Sequence, residues 1–76
     1  MTHDDIVDTN GMLCPLPVLK ARKRLQSMEV GQVLCVLADD PVAVIDIPNF
    51  CSESGHDLLS SEQSGRNQVY RIRKGG

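Results

Sequence analysis

The segment Cys14-Pro15-Leu16-Pro17 most constrains what this chain can fold into, because it marks where the first helix begins. Proline is favoured in the first helical turn, where a backbone N–H group has no partner within the helix. We therefore expect Pro15 to be the first helical residue and Cys14 to be the N-cap. Apolar residues then recur at spacings of three and four, which predicts a helix as far as Ser27 with one buried face. The members of this face are Val18, Ala21, Leu25 and Met28.

The remaining elements follow from apolar runs and turn residues. Asp40 and Pro41 open a second helix, as N-cap and first residue, and Gly55 ends it after Ser54. The predicted strands cover residues 4–8, 32–38, 57–63 and 68–74, and the last two form a hairpin around residues 64–67. The order βαβαββ predicts an α+β fold, a two-layer α/β sandwich in which two helices pack on one face of a four-stranded mixed sheet.

Two local features leave details of this fold open. Pro48 lies inside the second helix, where it removes a backbone hydrogen bond to Val44, so we expect a kink or two short helical pieces. Residues 32–38 are apolar for most of their length, which is typical of a strand covered on both faces. One face of a two-layer sheet has no helix, so Leu34 and Val36 are candidates to face a partner or a second copy, although we expect a monomer.

Size, charge and cysteine content restrict the class of protein. A chain of 76 residues is expected to form a single domain over residues 1–76, with little room for an internal substrate cavity. The net charge of −2 is not the positive charge typical of nucleic-acid-binding proteins, so no direct DNA binding is expected. No secretory signal or membrane-length apolar run is visible, and the three cysteines have no metal-ligand or Cys-x-x-Cys spacing. We expect a cytoplasmic protein without a metal or a cofactor and without a membrane partner.

Cys14 is the leading candidate for chemistry. A helix N-terminus offers unpaired N–H groups and the positive end of the helix dipole, which predicts an accessible thiol with a lowered pKa. A cysteine hydrolase needs a nearby base, but His3 lies in an expected frayed tail and His56 is expected at the surface. A dithiol oxidoreductase needs a resolving cysteine, and Cys35 and Cys51 are expected in the core. A lone activated thiol fits a carrier that accepts a group, such as a persulfide sulfur, and hands it on.

Two other sets of charged residues are weaker candidates. The basic residues of the first helix form either a solvated face or a docking patch for an acidic partner protein or an RNA backbone. They are Lys20, Arg22, Lys23 and Arg24. The carboxylates of Asp39, Asp40 and Asp46 are of a type that does acid–base work or holds a metal, but capping alone accounts for Asp40. No third ligand type accompanies them, so no metal site is expected.

Several short motifs together resemble a known family. They are Asp8, Gly11, Cys14-Pro15-Leu16-Pro17 before a basic helix, Ala38-Asp39-Asp40-Pro41, Asp46-Ile47-Pro48 with Phe50-Cys51, and Ile72-Arg73-Lys74-Gly75-Gly76. In this combination the chain resembles the TusA/SirA/YedF family of small sulfur-carrier proteins over nearly its whole length. The resemblance also implies a two-layer sandwich in the order βαβαββ.

The resemblance implies a sulfurtransferase-like carrier in which Cys14 holds a cysteine persulfide. In the family a cysteine desulfurase or a rhodanese-like protein donates the sulfur. A downstream acceptor protein then takes it in tRNA thiolation, molybdenum-cofactor assembly or sulfur oxidation. Position 16 is often Glu in the tRNA-pathway members and is Leu in this chain, which leaves the pathway open. Gly11 is expected to let the preceding loop bend, and Asp8 to orient it.

Two alternatives belong to other classes. Ubiquitin-like sulfur carriers present a Gly-Gly end as a thiocarboxylate, and Gly75-Gly76 could serve in this way. That fold opens with a hairpin, whereas one strand precedes the first helix here, so a frayed end is the expectation. The other alternative is a regulatory interaction module in which Cys14 is only structural, and it predicts an ordinary, slowly reacting thiol.

Overall fold

A computed structural model describes residues 3–76 and contains two helices and one four-stranded sheet. In chain order the elements are β1 (Asp5–Asp8), α1 (Leu16–Gln26), β2 (Val33–Ala38), α2 (Ala43–Ser54), β3 (Asp57–Ser64) and β4 (Asn67–Arg73). The sheet order is β1-β2-β4-β3, with β1 parallel to β2 and the other two pairs antiparallel. The predicted α+β fold with the order βαβαββ is confirmed. Neither α1 nor α2, the helices described, is long and apolar enough to cross a membrane.

The hydrophobic core lies between the sheet and the two helices. Alternate residues of β2, which are Leu34, Val36 and Ala38, are fully buried, because successive side chains of a strand point to opposite faces. Ala21 and Leu25 of α1 belong to the same core, which confirms the predicted apolar face of that helix. The suggestion that Leu34 and Val36 face a partner is therefore wrong, since both lie beneath the helices.

The helix-free face of the sheet carries charged side chains near its centre. Cys35 lies on this face with only 4% of its surface exposed, and it pairs in register with Arg71 of β4. Arg71 donates to the Ser60 hydroxyl at 3.2 Å and lies 3.6 Å from the Glu62 carboxylate. Burial raises the pKa of the Cys35 thiol. The predicted burial of Cys35 is confirmed, on the side of the sheet away from the helices.

The start of α1 differs from the sequence prediction by one residue. The helix begins at Leu16 with Pro15 at the N-cap position, so Cys14 lies outside the helix and is not its N-cap. The Leu16 N–H donates to the Leu13 carbonyl at 2.9 Å, which forms a turn ahead of the helix, and the Cys14–Pro15 peptide bond is cis. The sulfur therefore lies on the loop that leads into α1.

The second helix begins two residues later than predicted and is not divided. Residues 40–43 form a turn in which the Ala43 N–H donates to the Asp40 carbonyl at 3.0 Å. The helix then continues through Pro48, so the expectation of two short pieces is wrong. One proline removes a single backbone bond, while the buried Ile47 and Phe50 on either side hold the helix against the core.

The predicted hairpin forms the far edge of the sheet. Gly65-Arg66 joins β3 to β4, and the pairing shifts by one residue near the start of β3. Tyr70 and Ile72 of β4 are buried against the core, whereas Arg71 and Arg73 point to the opposite face. Only one face of β4 is therefore fully buried.

The last residues of the chain are held against the fold, which corrects the expectation of a frayed end. Lys74 exchanges backbone hydrogen bonds with Gln32 (2.8 Å) and Gly31 (2.9 Å). The Gly75 N–H donates to Nδ1 of His56 at 3.0 Å. His56 is half-buried, so it is a contact of the tail and not the free surface residue that the sequence suggested.

Replacing Gly75 with alanine is expected to lower the free energy of unfolding by about 1–3 kcal/mol. A Cβ at Gly75 would lie 1.7 Å from the Gly55 carbonyl oxygen, a backbone atom that cannot rotate away. At Gly76 a Cβ would meet only the Val30 side chain, at 3.5 Å, so Gly76→Ala is the matched control. Urea unfolding measures both variants, and equal midpoints for the two would contradict the held tail.

The contact between His56 and the tail also predicts how stability depends on pH. Burial, with the charge of Lys74 adding to it, lowers the pKa of His56 below its ordinary value of 6.5. The folded state thus favours the neutral ring. The neutral His56 ring contributes its full stability to the fold at pH values above the unfolded-state pKa of His56. This contribution is lost as the pH falls through the lowered folded-state pKa. Thermal unfolding between about pH 5 and 8 should show this loss, and His56→Gln should show less of it. Identical pH profiles for the two proteins would show that His56 contributes nothing.

Candidate functional site

Cys14 lies on the loop that joins β1 to α1. The loop leaves β1 at Thr9, whose N–H and hydroxyl both donate to the Leu37 carbonyl of β2, at 2.7 and 2.6 Å. The Asp8 carboxylate accepts the Asn10 N–H at 2.9 Å, which turns the chain at this point. Asp8 therefore has a local role at the start of the loop.

Two aspartates that follow β2 hold this loop in place. The Asp39 carboxylate accepts the Gly11 N–H at 3.0 Å, and the buried Asp40 carboxylate accepts the Cys14 N–H at 2.7 Å. Gly11 has a φ of 83°, a left-handed conformation that favours glycine, so the bend expected at this residue is confirmed. Asp40 is thus an anchor for the backbone of Cys14. It is not the N-cap that the sequence predicted, because Val42 is at the N-cap position of α2.

Asp40 is itself tied to the interior of the fold. Its other carboxylate oxygen accepts the Val42 N–H at 3.2 Å, and its carbonyl accepts Nε2 of Gln68 at 2.9 Å. Gln68 is buried on β4 and also accepts the hydroxyl proton of Tyr70. The loop of Cys14 is therefore connected through hydrogen bonds to a central strand. Sequence reasoning missed Gln68, although a polar residue on the apolar face of β4 was a usable signal.

The Cys14 thiol is exposed and points toward a carboxylate. Its Sγ donates a hydrogen bond to Oδ2 of Asp46 on α2, at 2.9 Å. This bond raises the pKa of Cys14 above its ordinary value, and partial desolvation and the negative charges of Asp46 and Asp40 raise it further. The predicted exposure of the thiol is confirmed, but the predicted lowering of its pKa is wrong.

The prolines explain why the helix N-terminus does not stabilise a thiolate. Pro15 and Pro17 have no N–H group, and the Leu16 N–H is already bonded to the Leu13 carbonyl. The first turn of α1 therefore offers the sulfur few of the donors that make a helix N-terminus attractive to an anion. The residues that mark the start of the helix also remove the donors on which the predicted thiolate depended.

Asp46 reaches the thiol because it lies in the first turn of α2. Its backbone N–H donates to the Val42 carbonyl at 2.9 Å, which places its side chain beside the loop of Cys14. The sequence grouped Asp46 with Asp39 and Asp40 as acidic residues but gave it no partner. The pairing of Cys14 with Asp46 joins residues 32 positions apart and depends on how α2 packs beside α1.

The other two cysteines are buried. Cys51 lies on α2 with 2% of its surface exposed, and burial raises its pKa to about 11. Cys35 lies beneath Arg71 on the other face of the sheet, and no cysteine of residues 3–76 forms a disulfide. The predicted core position of Cys51 is confirmed, so the only exposed thiol in the described residues is that of Cys14.

The basic residues of α1 lie in different environments. Arg24 pairs with Asp5 at 2.9 Å and fastens α1 to β1. Lys20 and Lys23 are exposed beside Arg24, on the β1 side of the helix. Arg22 lies instead at the groove between the two helices. A docking role for this basic set stays a prediction, and Arg24 already has a structural partner.

Removing the charge of Asp46 is expected to lower the pKa of Cys14, because the hydrogen bond and the charge that raise it both come from this carboxylate. A lower pKa increases the fraction of Cys14 that is thiolate but makes each thiolate less nucleophilic. If the pKa of Cys14 falls by one in Asp46→Asn, alkylation at neutral pH should be about threefold faster. The measurement is the rate of iodoacetamide reaction against pH. Glu53→Gln removes an exposed carboxylate from the same helix and is the control. An unchanged or higher thiol pKa in Asp46→Asn would contradict the assigned pairing.

The fold and the site define a small α+β domain that presents one exposed thiol from a loop braced by aspartates. The family model described as sulfurtransferase TusA matches residues 5–74. The chain therefore belongs to the TusA sulfurtransferase family, which confirms the resemblance seen in its motifs and gives it the general role of a sulfur carrier. It is also similar to the crystal structure of a SirA-like protein from Desulfitobacterium hafniense, with a TM-score of 0.80 and 26% sequence identity. That match covers 96% of this chain and 100% of the other.

Proposed function

We propose that Cys14 is the residue that accepts and releases sulfur in this family member. The observation that carries the proposal is the exposure of the Cys14 thiol, compared with the burial of Cys35 and Cys51. A sulfur that is handed from protein to protein has to be reached from outside. The loop of Cys14 is also fixed at both ends, by Thr9 and by Asp40, so the sulfur is presented at a defined place.

The loading step is an exchange of sulfur–sulfur bonds. The Cys14 sulfur attacks the outer sulfur of a donor persulfide, so that one S–S bond forms while the S–S bond of the donor breaks. The proton of the Cys14 thiol ends on the departing donor sulfur, and the products are a Cys14 persulfide and a donor thiol. Release repeats the exchange with an acceptor thiol and returns Cys14 to its original state.

Asp46 controls the proton in this scheme. The thiol hydrogen points to its Oδ2, so the resting protein holds Cys14 as a thiol and not as a thiolate. The same carboxylate is placed to take the proton as the sulfur begins its attack. A carrier whose thiol stays protonated until a partner docks is less readily oxidised, because thiolates are oxidised more readily than thiols.

The donor and acceptor are proposed from family membership. A cysteine desulfurase or a rhodanese-like protein fits the donor role. The acceptor belongs to tRNA thiolation, molybdenum-cofactor assembly or sulfur oxidation, with Leu16 in place of the Glu that is frequent in tRNA-pathway members. A reducing cytoplasm suits a protein whose work depends on a free thiol.

The structure gives the two alternatives unequal support. A thiocarboxylate carrier must present its Gly-Gly end, but Gly75 is bonded to His56 and packs closely against Gly55. A regulatory module with a structural Cys14 expects an ordinary, slow thiol, and a raised thiol pKa agrees with that expectation as well as with a resting carrier. A measurement of the thiol pKa therefore does not separate these two functions, whereas sulfur loading does.

The test of the proposed function is the intact mass of the protein after incubation with a cysteine desulfurase and cysteine. We expect a gain of one sulfur atom that dithiothreitol removes, because a persulfide is reduced by a dithiol. Incubation with glutathione persulfide, a small donor that needs no docking surface, is the parallel reaction. If the protein gains sulfur from neither of these two donors, the carrier function is contradicted.

A further inference from the structure

Exposed apolar side chains lie on the two segments that bring Cys14 and Asp46 together. Leu13 and Leu16 lie on either side of Cys14 along the chain, and Val42 and Ile45 lie on the neighbouring start of α2. Their surfaces are 68%, 46%, 44% and 63% exposed, in that order. We name these four residues the apolar collar. Large aliphatic side chains that cluster in solvent around one reactive atom are typical of an interaction surface.

Hydrogen bonds hold the two halves of the apolar collar in one arrangement. The Cys14 N–H and the Val42 N–H are bonded to opposite oxygens of the Asp40 carboxylate, at 2.7 and 3.2 Å. The Val42 carbonyl accepts the Ile45 N–H at 3.0 Å, and the turn between the two leucines closes with a bond of 2.9 Å. The collar is therefore formed before any partner arrives, which lowers the entropic cost of binding.

The centre of the apolar collar is negatively charged. The Asp46 carboxylate lies 2.9 Å from the sulfur, and those of Asp39 and Asp40 brace the loop behind it. None of these three aspartates forms an ion pair with a lysine or arginine within residues 3–76. A surface that combines exposed apolar residues with carboxylates that have no basic partner is complementary to an apolar face that carries a cation.

We infer that the apolar collar docks a partner protein whose contact face is apolar and carries an arginine or lysine beside its own reactive sulfur. This inference rests on the proposed function, because it concerns the protein that exchanges sulfur with Cys14. The partner's cation pairs with Asp46 and offsets the charge that keeps Cys14 protonated. Docking thus makes the thiol reactive at the moment when the second sulfur is in reach.

The inference differs from docking through the basic residues of α1. Those residues select an acidic partner, and Lys20 and Lys23 lie on the β1 side of the helix, next to Arg24. Charge reversal at Lys20 and Lys23 slows transfer if the basic patch is the docking surface, and leaves it unchanged if the apolar collar is. The two surfaces therefore predict different results for the same variant.

The test uses synthetic cysteine peptides activated as mixed disulfides with thionitrobenzoate. Three peptides place leucine and arginine, serine and arginine, or serine and glutamate beside the cysteine. Cys14 attacks the peptide sulfur, one S–S bond replaces another, and the released thionitrobenzoate is measured by its absorbance. Cys14→Ser shows whether the reaction belongs to this thiol.

The native protein should react about tenfold faster with the leucine–arginine peptide than with the serine–arginine peptide, and faster with the latter than with the serine–glutamate peptide. Leu13→Ser combined with Ile45→Ser should remove most of the first difference. Val30→Ser should leave it intact, because Val30 is 66% exposed but lies beside Gly76. Equal rates for all three peptides, or an unchanged preference in the double variant, would overturn the inference.

A pair of substitutions at one position tests the charge of the partner. Ile45→Lys should slow the reaction with the serine–arginine peptide, whereas Ile45→Glu should leave it unchanged or speed it. The same response to both substitutions would rule out a cationic partner face.

These assays need no sulfur transfer, so a peptide preference without sulfur loading would refute the carrier function and leave the docking surface standing. Sulfur loading without a peptide preference would support the carrier function and refute the docking surface.

Discussion

Cys14→Ser is expected to abolish sulfur loading completely. A serine hydroxyl occupies nearly the same space and still donates to Asp46, so the loop and the fold should persist. Oxygen does not attack a persulfide sulfur in the way that a thiolate does, and no other described thiol is exposed to replace it. Intact mass after incubation with a cysteine desulfurase and cysteine measures the loss.

Two further substitutions make this result specific. Cys35→Ser and Cys51→Ala remove the buried thiols one at a time, and each should leave the gain of one sulfur atom intact. Thermal unfolding shows whether each variant is folded, since both positions are well packed. A full gain of sulfur in Cys14→Ser would assign the cargo to another residue and contradict the proposed role of Cys14.

Asp40→Ala is expected to have the largest effect on stability, a loss of about 2–4 kcal/mol. The buried carboxylate accepts the N–H groups of Cys14 and Val42, so alanine leaves two partly buried donors without partners. For a chain of this size such a loss lowers the melting temperature by about 10–30 °C. Thermal and urea unfolding both measure it.

The control for this prediction is Glu53→Ala. The Glu53 side chain is exposed on α2 and forms no hydrogen bond or ion pair with another of residues 3–76, so its removal changes the net charge equally with little effect on stability. Asp40→Asn keeps one acceptor oxygen and should fall between the two. Equal stability of Asp40→Ala and Glu53→Ala would show that the network through Asp40 does not hold the loop.

Most of the fold could be predicted from local signals. The spacing of Ala21, Leu25 and Met28 gave the buried face of α1, and Gly65 together with alternating residues in β4 gave the hairpin. The choice of buried face for β2 could not be predicted, because its apolar run is nearly continuous. The buried face depends on the side of the sheet on which α1 and α2 lie, and Leu34 and Val36 share a core with both helices.

The site was predicted less completely than the fold. The sequence singled out Cys14 and a proline-rich helix entrance, but it assigned the sulfur to the helix dipole. Its actual neighbour is Asp46, which arrives from the first turn of another helix. The absence of N–H groups at Pro15 and Pro17 was visible in the sequence and argued against a stabilised thiolate. Contacts between distant segments, such as that of Asp40 with Gln68, had no local signal.

The pairing of Cys14 with Asp46 changes how the carrier is understood. A thiol held protonated next to a carboxylate depends on its partner for activation, whereas a thiolate at a helix N-terminus would react with any accessible electrophile. In this account selectivity comes from the surface around the sulfur and from the charge that a partner brings to it. The chemistry of transfer is the same in both cases, but with a protonated thiol the rate of the reaction is set by contacts at the interface with the partner.

The most direct test of this account is to locate the transferred sulfur in the loaded, unmodified chain. The protein is incubated with a cysteine desulfurase and cysteine, digested without reductant, and each peptide is sequenced by mass spectrometry. We predict that the additional sulfur lies on the peptide that contains Cys14 and on its side chain. Sulfur on Cys51, or a thiocarboxylate at Gly76 with none on Cys14, would contradict the account.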